Sequence, residues 1–396
     1  MKHKISVTSI VILLFVSFVS QAAEPIVPDA KTDSQLVDYL DGICKWIVAA
    51  DVGSGKLKIQ ALRKTSIFVN SNLARVLVAG YEITNNDSYL QEALQWYDHL
   101  VDLQQVIPAS NGAEAGFWGD FSPAGNIYLG DAGTSATALA GAIRFATGAR
   151  REKYLKALER YANFVRYGSK EDPQNKGRES ANSFIIQSGK DTGGVGAGYY
   201  RNKLSTAPYT IATSVTGASF FSCYYELTGK NEYMKIAENA ARWMIAKRSP
   251  FGEIPYILHD SQLDEWPLDT MSYVTDGIVG VYLRTHDENL KKEIVRSFNH
   301  SIQWLLNHQN KYGTWGKLRS EDQQRSQGVL SLLVWYYDQV APFPRILQSI
   351  RANYTYFLNP ENSKAFGVKE LPITTGFVGL GIAEVIEPGI TYRIKK

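Results

Sequence analysis

The residues best suited to chemistry in this chain lie in one stretch, 249–277, which reads SPFGEIPYILHDSQLDEWPLDTMSYVTDG. His259 lies in this stretch between Tyr256 and Tyr273. An imidazole beside phenol hydroxyls can act as a base, an acid or a ligand near neutral pH. The stretch is too rich in Pro and Gly for a helix, and long connectors that keep Trp and Tyr are usually functional. We interpret it as a substrate-facing loop; the alternative is an ordered surface loop that caps a helix end.

Other long connectors carry similar side chains. Aromatic rings at the rim of a cleft suit sugars, because a pyranose presents an apolar face of C–H bonds, while Arg and Lys meet hydroxyls and carboxylates. The side chains that we expect to bind a sugar are Trp118, Arg201, Tyr256, Trp266, Trp315 and Lys317. The alternative is that the three tryptophans only close one end of the fold.

The sequence lacks the spacings of several common sites. It has no H-x-x-x-H or C-x-x-C pattern for zinc and no G-x-S-x-G nucleophile elbow. The run GGVGAG at 193–198 follows no clear strand and lacks dinucleotide-loop spacing, so we interpret it as a flexible or close-packed loop. We therefore expect chemistry without a metal or other cofactor.

Repeated pairs of helices must position these residues. Each pair has a small, apolar first helix, a short turn with Gly or Asn, and an amphipathic second helix. The turns ITNNDSYL, ATGARREKYL and LTGKNEYM are copies of one element. The pairs, of which the last is a single helix, span 71–105, 133–168, 213–248, 275–308, 325–358 and 374–386.

This polarity pattern predicts an all-α fold, an α/α toroid of six or seven helical hairpins. A helix without a polar face belongs inside and one with a charged face belongs outside, so the first helices form an inner ring. The amphipathic helix at about 34–50 lacks a partner and is expected to close the ring against 374–386. The connectors from outer to inner helices are long and the opposite turns are short. All long connectors, and the site, are therefore predicted on one face.

The N-terminal segment indicates export. Lys2 and Lys4 precede an apolar run at 10–19 and a small-x-Ala cleavage site, which predicts a signal peptide at 1–22. The remainder, 23–396, is expected to form a single toroid domain. The apolar run is too short to span a membrane, so we expect a secreted or periplasmic protein.

The net charge limits the possible binding partners, and the cysteine content bears on whether the chain has a disulfide. Removing Lys2 and Lys4 lowers the formal net charge from +3 to about +1, and no basic cluster follows, which argues against nucleic acid as a partner. Cys44 and Cys223 are the only cysteines, and both have apolar helical neighbours. This context favours buried free thiols, although a disulfide stays open if the two prove adjacent.

Five motifs carry a family resemblance. They are SANSF, the GYY-to-APY stretch, RSPFGEIPY, WPLDTMSYV and EDQQRSQG. With them the chain resembles the alginate and glucuronan lyases of polysaccharide lyase family 38, among the secreted α/α-toroid enzymes that act on carbohydrates. The resemblance covers nearly the whole mature chain as architecture and implies an anionic, uronic-acid polysaccharide as the substrate.

The resemblance implies β-elimination, in which the uronate carboxylate is neutralised before the C5 proton leaves. Asn182 with Arg201 or Arg319 fits the neutralising role. Tyr273, Tyr200 and Tyr256 are the candidate acid and base residues, and His259 fits either role. Tyr273 is expected just before an inner helix that starts near Thr275, with its hydroxyl over the mouth of the barrel.

Two other functions stay open from the residues. A glycoside hydrolase of the same fold would use two carboxylates across the cleft. The candidate pairs are Asp120 or Asp131 against Asp264 or Asp269. A non-catalytic glycan-binding protein would lack acid–base groups and leave a bound oligosaccharide intact.

Overall fold

The architecture is a closed double ring of helices, seen in a computed structural model of the chain. The structure describes residues 23–49, 67–119, 127–169, 183–200, 203–258, 261–263, 267–316 and 325–395. The predicted signal peptide therefore lies outside the described residues. None of the described helices is both long and apolar enough to cross a membrane.

The inner ring consists of the apolar helices. They are α2 (Phe68–Thr84), α4 (Leu129–Ala142), α6 (210–228), α8 (Pro267–Arg284), α10 (Val329–Gln339) and α13 (Pro372–Ile386). Each packs against its two neighbours in this order, and α13 returns to α2, so the ring closes. Helix α6 joins the segments Thr210–Ala212, Thr213–Phe220 and Phe221–Thr228, of which the middle one is a π-helix.

The outer ring consists of the amphipathic helices. They are α1 (Ala30–Ala49), α3 (Asp87–Asp102), α5 (Gly148–Tyr167), α7 (Asn231–Lys247), α9 (Glu288–His308) and α11 (Pro344–Leu358). A short helix, α12 (Pro360–Phe366), follows α11. Helix α1 packs against α13 and α2, which confirms that the partnerless N-terminal helix closes the ring. The α/α toroid predicted from the polarity of the helices is thus confirmed, with six inner and six outer helices in the described chain.

One inner helix begins well before its predicted start. Helix α8 begins at Pro267 rather than near Thr275, and the other five begin close to their predicted positions. Proline is tolerated at the first helical position, because an N–H there has no partner within the helix. Leu268, Met271 and Val274 of the added turns are buried, and this packing holds the early start. Tyr273 therefore lies within α8 and not before it.

The strands lie in the connectors that lead into inner helices. They are β1 (Gln105–Pro108), β2 (Glu114–Phe117), β3 (Ile127–Tyr128), β4 (Gly196–Tyr200), β5 (Lys203–Pro208), β6 (Tyr256–Leu258) and β7 (Ser261–Leu263). Antiparallel pairing joins β1 to β2, β3 to β4 to β5, and β6 to β7. Because each inner helix begins where such a connector ends, the described strands decorate the same face, as predicted. We call this face the mouth and the opposite face the plain end.

The last residues of the chain cover the plain end. Guanidinium groups of Arg144 and Arg284, near the ends of α4 and α8, donate hydrogen bonds to the backbone carbonyls of Arg393 and Tyr392. The buried carboxylate of Glu384 accepts hydrogen bonds from the backbone N–H groups of Gly389 and Thr391. We call residues 387–395 the C-terminal plug. The end of the chain therefore covers the plain end of the barrel.

The two cysteines do not form a disulfide. Cys44 and Cys223 are both buried free thiols. Cys44 lies in α1 of the outer ring, and Cys223 lies in α6 of the inner ring. The structure therefore supports the free-thiol interpretation of their apolar context.

Candidate active site

Ionisable residues from separate repeats meet at the mouth. Asp131 lies in the first turn of α4, and Asp269 lies in the first turn of α8. Tyr209 precedes α6, and Tyr256 begins β6. Because the inner helices all begin at the mouth, side chains of their first turns surround one axis. The ring thereby gathers groups that are far apart in the sequence.

An ion pair joins two neighbouring inner-ring segments at this mouth. The Nη1 atom of Arg325 lies 3.1 Å from Oδ2 of Asp269. The side chain of Asp269 is 5% exposed and that of Arg325 is 22% exposed. A charge-assisted hydrogen bond of this kind orients the guanidinium, and the planar group is suited to binding a carboxylate.

Two tyrosines form a pair beside these charges. The hydroxyl oxygens of Tyr209 and Tyr256 are 3.3 Å apart, and their rings meet edge to face. Burial raises the pKa of Tyr209 well above its usual value, with Tyr256, Asp131 and Asp269 adding to the effect. Burial also raises the pKa of Tyr256, helped by Asp269, although the hydrogen bond to Tyr209 opposes it. Both phenols are therefore protonated near neutral pH and can donate a proton.

Tyr273 lies deeper than the sequence predicted. It is 6% exposed, and its ring packs edge to face against Phe68 and Phe377 from two other inner helices. Burial raises the pKa of Tyr273 well above its usual value, and the nearby charge of Asp269 adds to the effect. Tyr273 is thus placed within the second turn of α8, and the acid or base role of its hydroxyl stays a prediction. The ring belongs to the inside of the barrel because α8 begins eight residues early.

A second ion pair forms a floor below the tyrosines. Arg75 of α2 binds Asp276 of α8 through two contacts, with Nη1–Oδ2 at 2.8 Å and Nη2–Oδ1 at 3.2 Å. Asp269, Tyr273 and Asp276 are spaced so that they share one face of α8. That face looks into the barrel, since its members reach Arg325, the two phenylalanine rings and Arg75 respectively.

Comparison with known proteins shows that the chain resembles several solved structures in fold. No family model matches the chain, and no curated protein matches it by sequence. A solved polysaccharide lyase is 10% identical and covers 89% of this chain and 97% of its own, with a TM-score of 0.56. A GH76 α-1,6-mannanase from Salegentibacter sp. HEL1_6 is 10% identical, covers 88% and 98%, and has a TM-score of 0.57. An unsaturated glucuronyl hydrolase specific for heparin is 12% identical, covers 88% and 96%, and has a TM-score of 0.54.

These likenesses concern architecture alone. Sequence identities of 10–12% over nearly the full chain support the α/α toroid and carry no residue roles. The resemblance to polysaccharide lyase family 38 in particular stays a prediction.

Two predicted sugar platforms are core residues. Trp118 is 2% exposed and Trp315 is fully buried. Their indole N–H groups donate to the carbonyl oxygens of Leu100 at 2.7 Å and Leu305 at 2.9 Å, near the ends of α3 and α9. Each tryptophan thus satisfies a carbonyl at the end of an outer helix. Neither ring offers a face to a sugar. These two tryptophans instead fit the alternative, in which they only close one end of the fold.

Several predicted site residues cannot be placed. Asn182, His259, Arg319, Arg201, Trp266 and Lys317 lie outside the described residues, as do Asp120 and Asp264 of the hydrolase alternative. Tyr200 is placed only through its backbone, as the last residue of β4, which pairs with Lys203. The roles predicted for these residues stay predictions.

The site also contains residues that were not among the candidates for a role in elimination. Tyr209 and Arg325 were given no role from the sequence, and Asp131 and Asp269 were candidates only for the hydrolase alternative. All four lie at or within the first turns of inner helices or directly before them. The sequence feature that could have identified them is their position at the start of an apolar helix, because an ionisable side chain there points toward the axis of the barrel.

Proposed function

We propose that the protein is a glycan-cleaving enzyme with its active site at the mouth of the toroid. The observation that carries the proposal is the grouping of Asp131, Asp269, Arg325, Tyr209 and Tyr256 at one end of the barrel. Ionisable groups with perturbed pKa values in a cleft are typical of catalytic sites. Solved structures of the same fold include, by name, a polysaccharide lyase and two enzymes that hydrolyse glycans. With the predicted signal peptide removed, the enzyme would meet its polymer outside the cytoplasm.

The reaction that we favour is β-elimination on a uronic-acid polymer of the alginate or glucuronan type. A base removes the C5 proton, the C4–O4 bond breaks, a C4=C5 double bond forms, and O4 takes up a proton. Arg325, oriented by Asp269, is suited to bind the uronate carboxylate and stabilise the charge that develops on it. This assignment agrees with the general need of the reaction for a cation beside that carboxylate.

Tyr256 is the proton donor in this proposal. Its hydroxyl is protonated near neutral pH because burial raises its pKa, and the residue is only half-buried, so it is not sealed in the core. Tyr209, 3.3 Å away, supports the hydroxyl and can return a proton to it. His259 immediately follows strand β6, which Tyr256 begins, and stays a candidate for the base.

Hydrolysis is the second candidate, and one observation favours it. Asp131 and Asp269 are carboxylates on first turns of two inner helices, and both influence the pKa of the same tyrosine pair. A glycosidase needs two carboxyl groups about 5–9 Å apart on either side of the scissile bond. In this case Asp269 would be the ionised partner, held by Arg325.

One incubation separates these functions. The mature protein is mixed with alginate, with glucuronan and with a neutral mannan, and the products are followed by ultraviolet absorbance and by reducing ends. Elimination makes both signals rise, because the new double bond is conjugated with the carboxylate. New reducing ends without the absorbance would replace elimination by hydrolysis. Bound but intact polymer would overturn the enzymatic proposal and leave a glycan-binding protein.

A further inference from the structure

A narrow cavity lies inside the barrel, between the Arg75–Asp276 floor and the C-terminal plug. Its volume is about 20 Å³, which is room for one guest of atomic size. Its lining includes Arg75 of α2, Tyr97 of α3, Arg144 after α4, and Tyr392 of the plug. The cavity is therefore built where an inner helix, an outer helix and the end of the chain meet, away from the mouth.

Three residues of this lining each carry a buried polar atom that has no hydrogen-bond partner among the residues that the structure describes. The atoms are the hydroxyls of Tyr97 and Tyr392 and the Nε atom of Arg144. Tyr97 is fully buried, Tyr392 is 8% exposed, and the Arg144 side chain is 4% exposed. A buried donor without an acceptor destabilises the fold, so such groups are uncommon, and three on one small cavity indicate a missing partner.

All three atoms act as donors. A guanidinium N–H can only donate. Burial raises the pKa of Tyr97, against the opposing effect of Arg75 and Arg144, and burial raises the pKa of Tyr392 well above its usual value. Both phenols therefore keep their protons at neutral pH. A partner that accepts hydrogen bonds from this lining is therefore missing.

The charge on the lining has one sign. Arg75 and Arg144 line the cavity, whereas no Asp or Glu does so in the described part of the chain. Their carboxylate partners, Asp276 and Glu82, bind the guanidinium groups outside the cavity lining. A cation is thus disfavoured as the guest of the cavity.

We propose that this cavity is a halide site, occupied by chloride in ordinary saline. A halide accepts from all three donors and needs no acceptor in return, whereas a water molecule would bring two protons of its own. Acetate, phosphate and a sugar are too large for the volume. The ion would tie α3, the end of α4 and the plug together, so it stabilises the closed plain end independently of the chemistry at the mouth.

The test is thermal unfolding of the mature chain with sodium chloride or bromide against sodium acetate at equal ionic strength. We expect a saturable, halide-specific rise in Tm of roughly 2–4 °C. Tyr97→Phe and Tyr392→Phe each remove one donor and should weaken the halide effect at least severalfold. Crystals grown in bromide should show an anomalous peak between Tyr97, Tyr392 and Arg144.

Tyr154→Phe is the matched control. Its hydroxyl is also buried but is bonded to the Leu94 carbonyl and to Asp98, away from the cavity. This variant should lower Tm and yet keep the halide-specific increment. Equal Tm values in chloride and acetate, an unchanged increment in both Phe variants at the cavity, or only water there in bromide-grown crystals would each overturn the proposal.

Discussion

Some side chains at the mouth are held in place by charge, and others are held by burial. Arg325 and Asp269 fix each other through an ion pair, whereas Tyr209 and Tyr256 meet through their hydroxyls. Tyr273 is placed by its ring, which packs between two phenylalanines. Of the three tyrosines, Tyr256 is the one that is not buried, so it is the one that a polymer can reach.

Replacing Tyr256 tests the proton-donor assignment. Tyr256→Phe removes one hydroxyl and almost no volume, so Tm should change little, while kcat should fall about a hundredfold or more if the hydroxyl protonates O4. Tyr209→Phe is the matched control, because it breaks the same hydrogen bond without removing the donor, and it should cost less in kcat. Full activity in Tyr256→Phe together with a large loss in Tyr273→Phe would assign the proton donor to Tyr273 instead.

Inner helices approach one another through small residues. A Cβ added to Gly133 of α4 would lie 2.1 Å from Oγ1 and 2.8 Å from the backbone nitrogen of Thr216, in the π-helical part of α6. The Thr216 hydroxyl in turn donates to the Leu129 carbonyl at 2.5 Å and bonds Tyr161 of an outer helix. This contact sets the distance between α4 and α6. It therefore also sets the distance between Tyr128 and Tyr209, which precede these helices at the mouth.

Gly133→Ala should destabilise the protein by about 1–3 kcal/mol, because backbone must move to admit the methyl group. The free energy of unfolding in urea measures this effect. Gly141→Ala in the same helix is the control, since its added Cβ meets nothing closer than 3.6 Å. That control should be neutral or stabilising by up to about 1 kcal/mol, as alanine favours a helix over glycine. Equal effects of the two substitutions would contradict the close packing described for Gly133.

At the scale of the whole molecule, the barrel is held across its width and at its plain end. The Arg75–Asp276 pair joins the first and fourth inner helices, which are opposite one another in the ring. The C-terminal plug is held by Arg144 and Arg284 and by the buried Glu384. These polar contacts inside an apolar ring fix which helices face one another.

Arg75→Met should lower the free energy of unfolding by about 3 kcal/mol, because it leaves Asp276 inside the barrel without its cation. Lys153→Met breaks an ion pair with Asp102 on the surface, where both side chains are about half exposed, and should cost at most about 1 kcal/mol. Chemical denaturation of both variants compares the two pairs. A loss in Arg75→Met no greater than in the surface variant would show that the pair across the barrel does not hold the ring.

The buried carboxyl group of Glu384 is expected to make the stability of the folded protein depend on pH. Burial raises its pKa above the usual value of 4.5, despite hydrogen bonds from Thr391 and Gly389 that oppose the shift. The folded state therefore binds its proton more tightly than the unfolded state. At pH values above the raised pKa, the charged carboxylate lowers the free energy of unfolding. This destabilisation disappears as the pH falls from the raised pKa towards 4.5.

Glu384→Gln should remove this dependence, since the amide stays neutral throughout. The difference in Tm between variant and wild type should favour the variant at high pH and shrink as the pH is lowered through the raised pKa. Glu387→Gln, in the exposed part of the plug, is the control and should follow the wild-type curve. A Tm difference for Glu384→Gln that is constant with pH would contradict the burial argument.

The sequence by itself determined the fold class, the two rings and the decorated face. These follow from local properties, because helix polarity, turn residues and connector lengths are encoded within each repeat. The N-terminal helix without a partner was correctly placed against the last inner helix for the same reason. Long connectors also predicted the end of the barrel at which we place the candidate site.

Only the tertiary structure decided which residues meet. Local patterns indicate that a side chain is buried, but not which buried groups share one space, because that depends on the packing of six helices around an axis. Trp118 and Trp315 therefore proved to be core residues, and Tyr273 moved inside the barrel with the early start of α8. For the same reason, no pattern in the sequence indicates that Tyr97, Arg144 and Tyr392, from three separate elements, line one cavity.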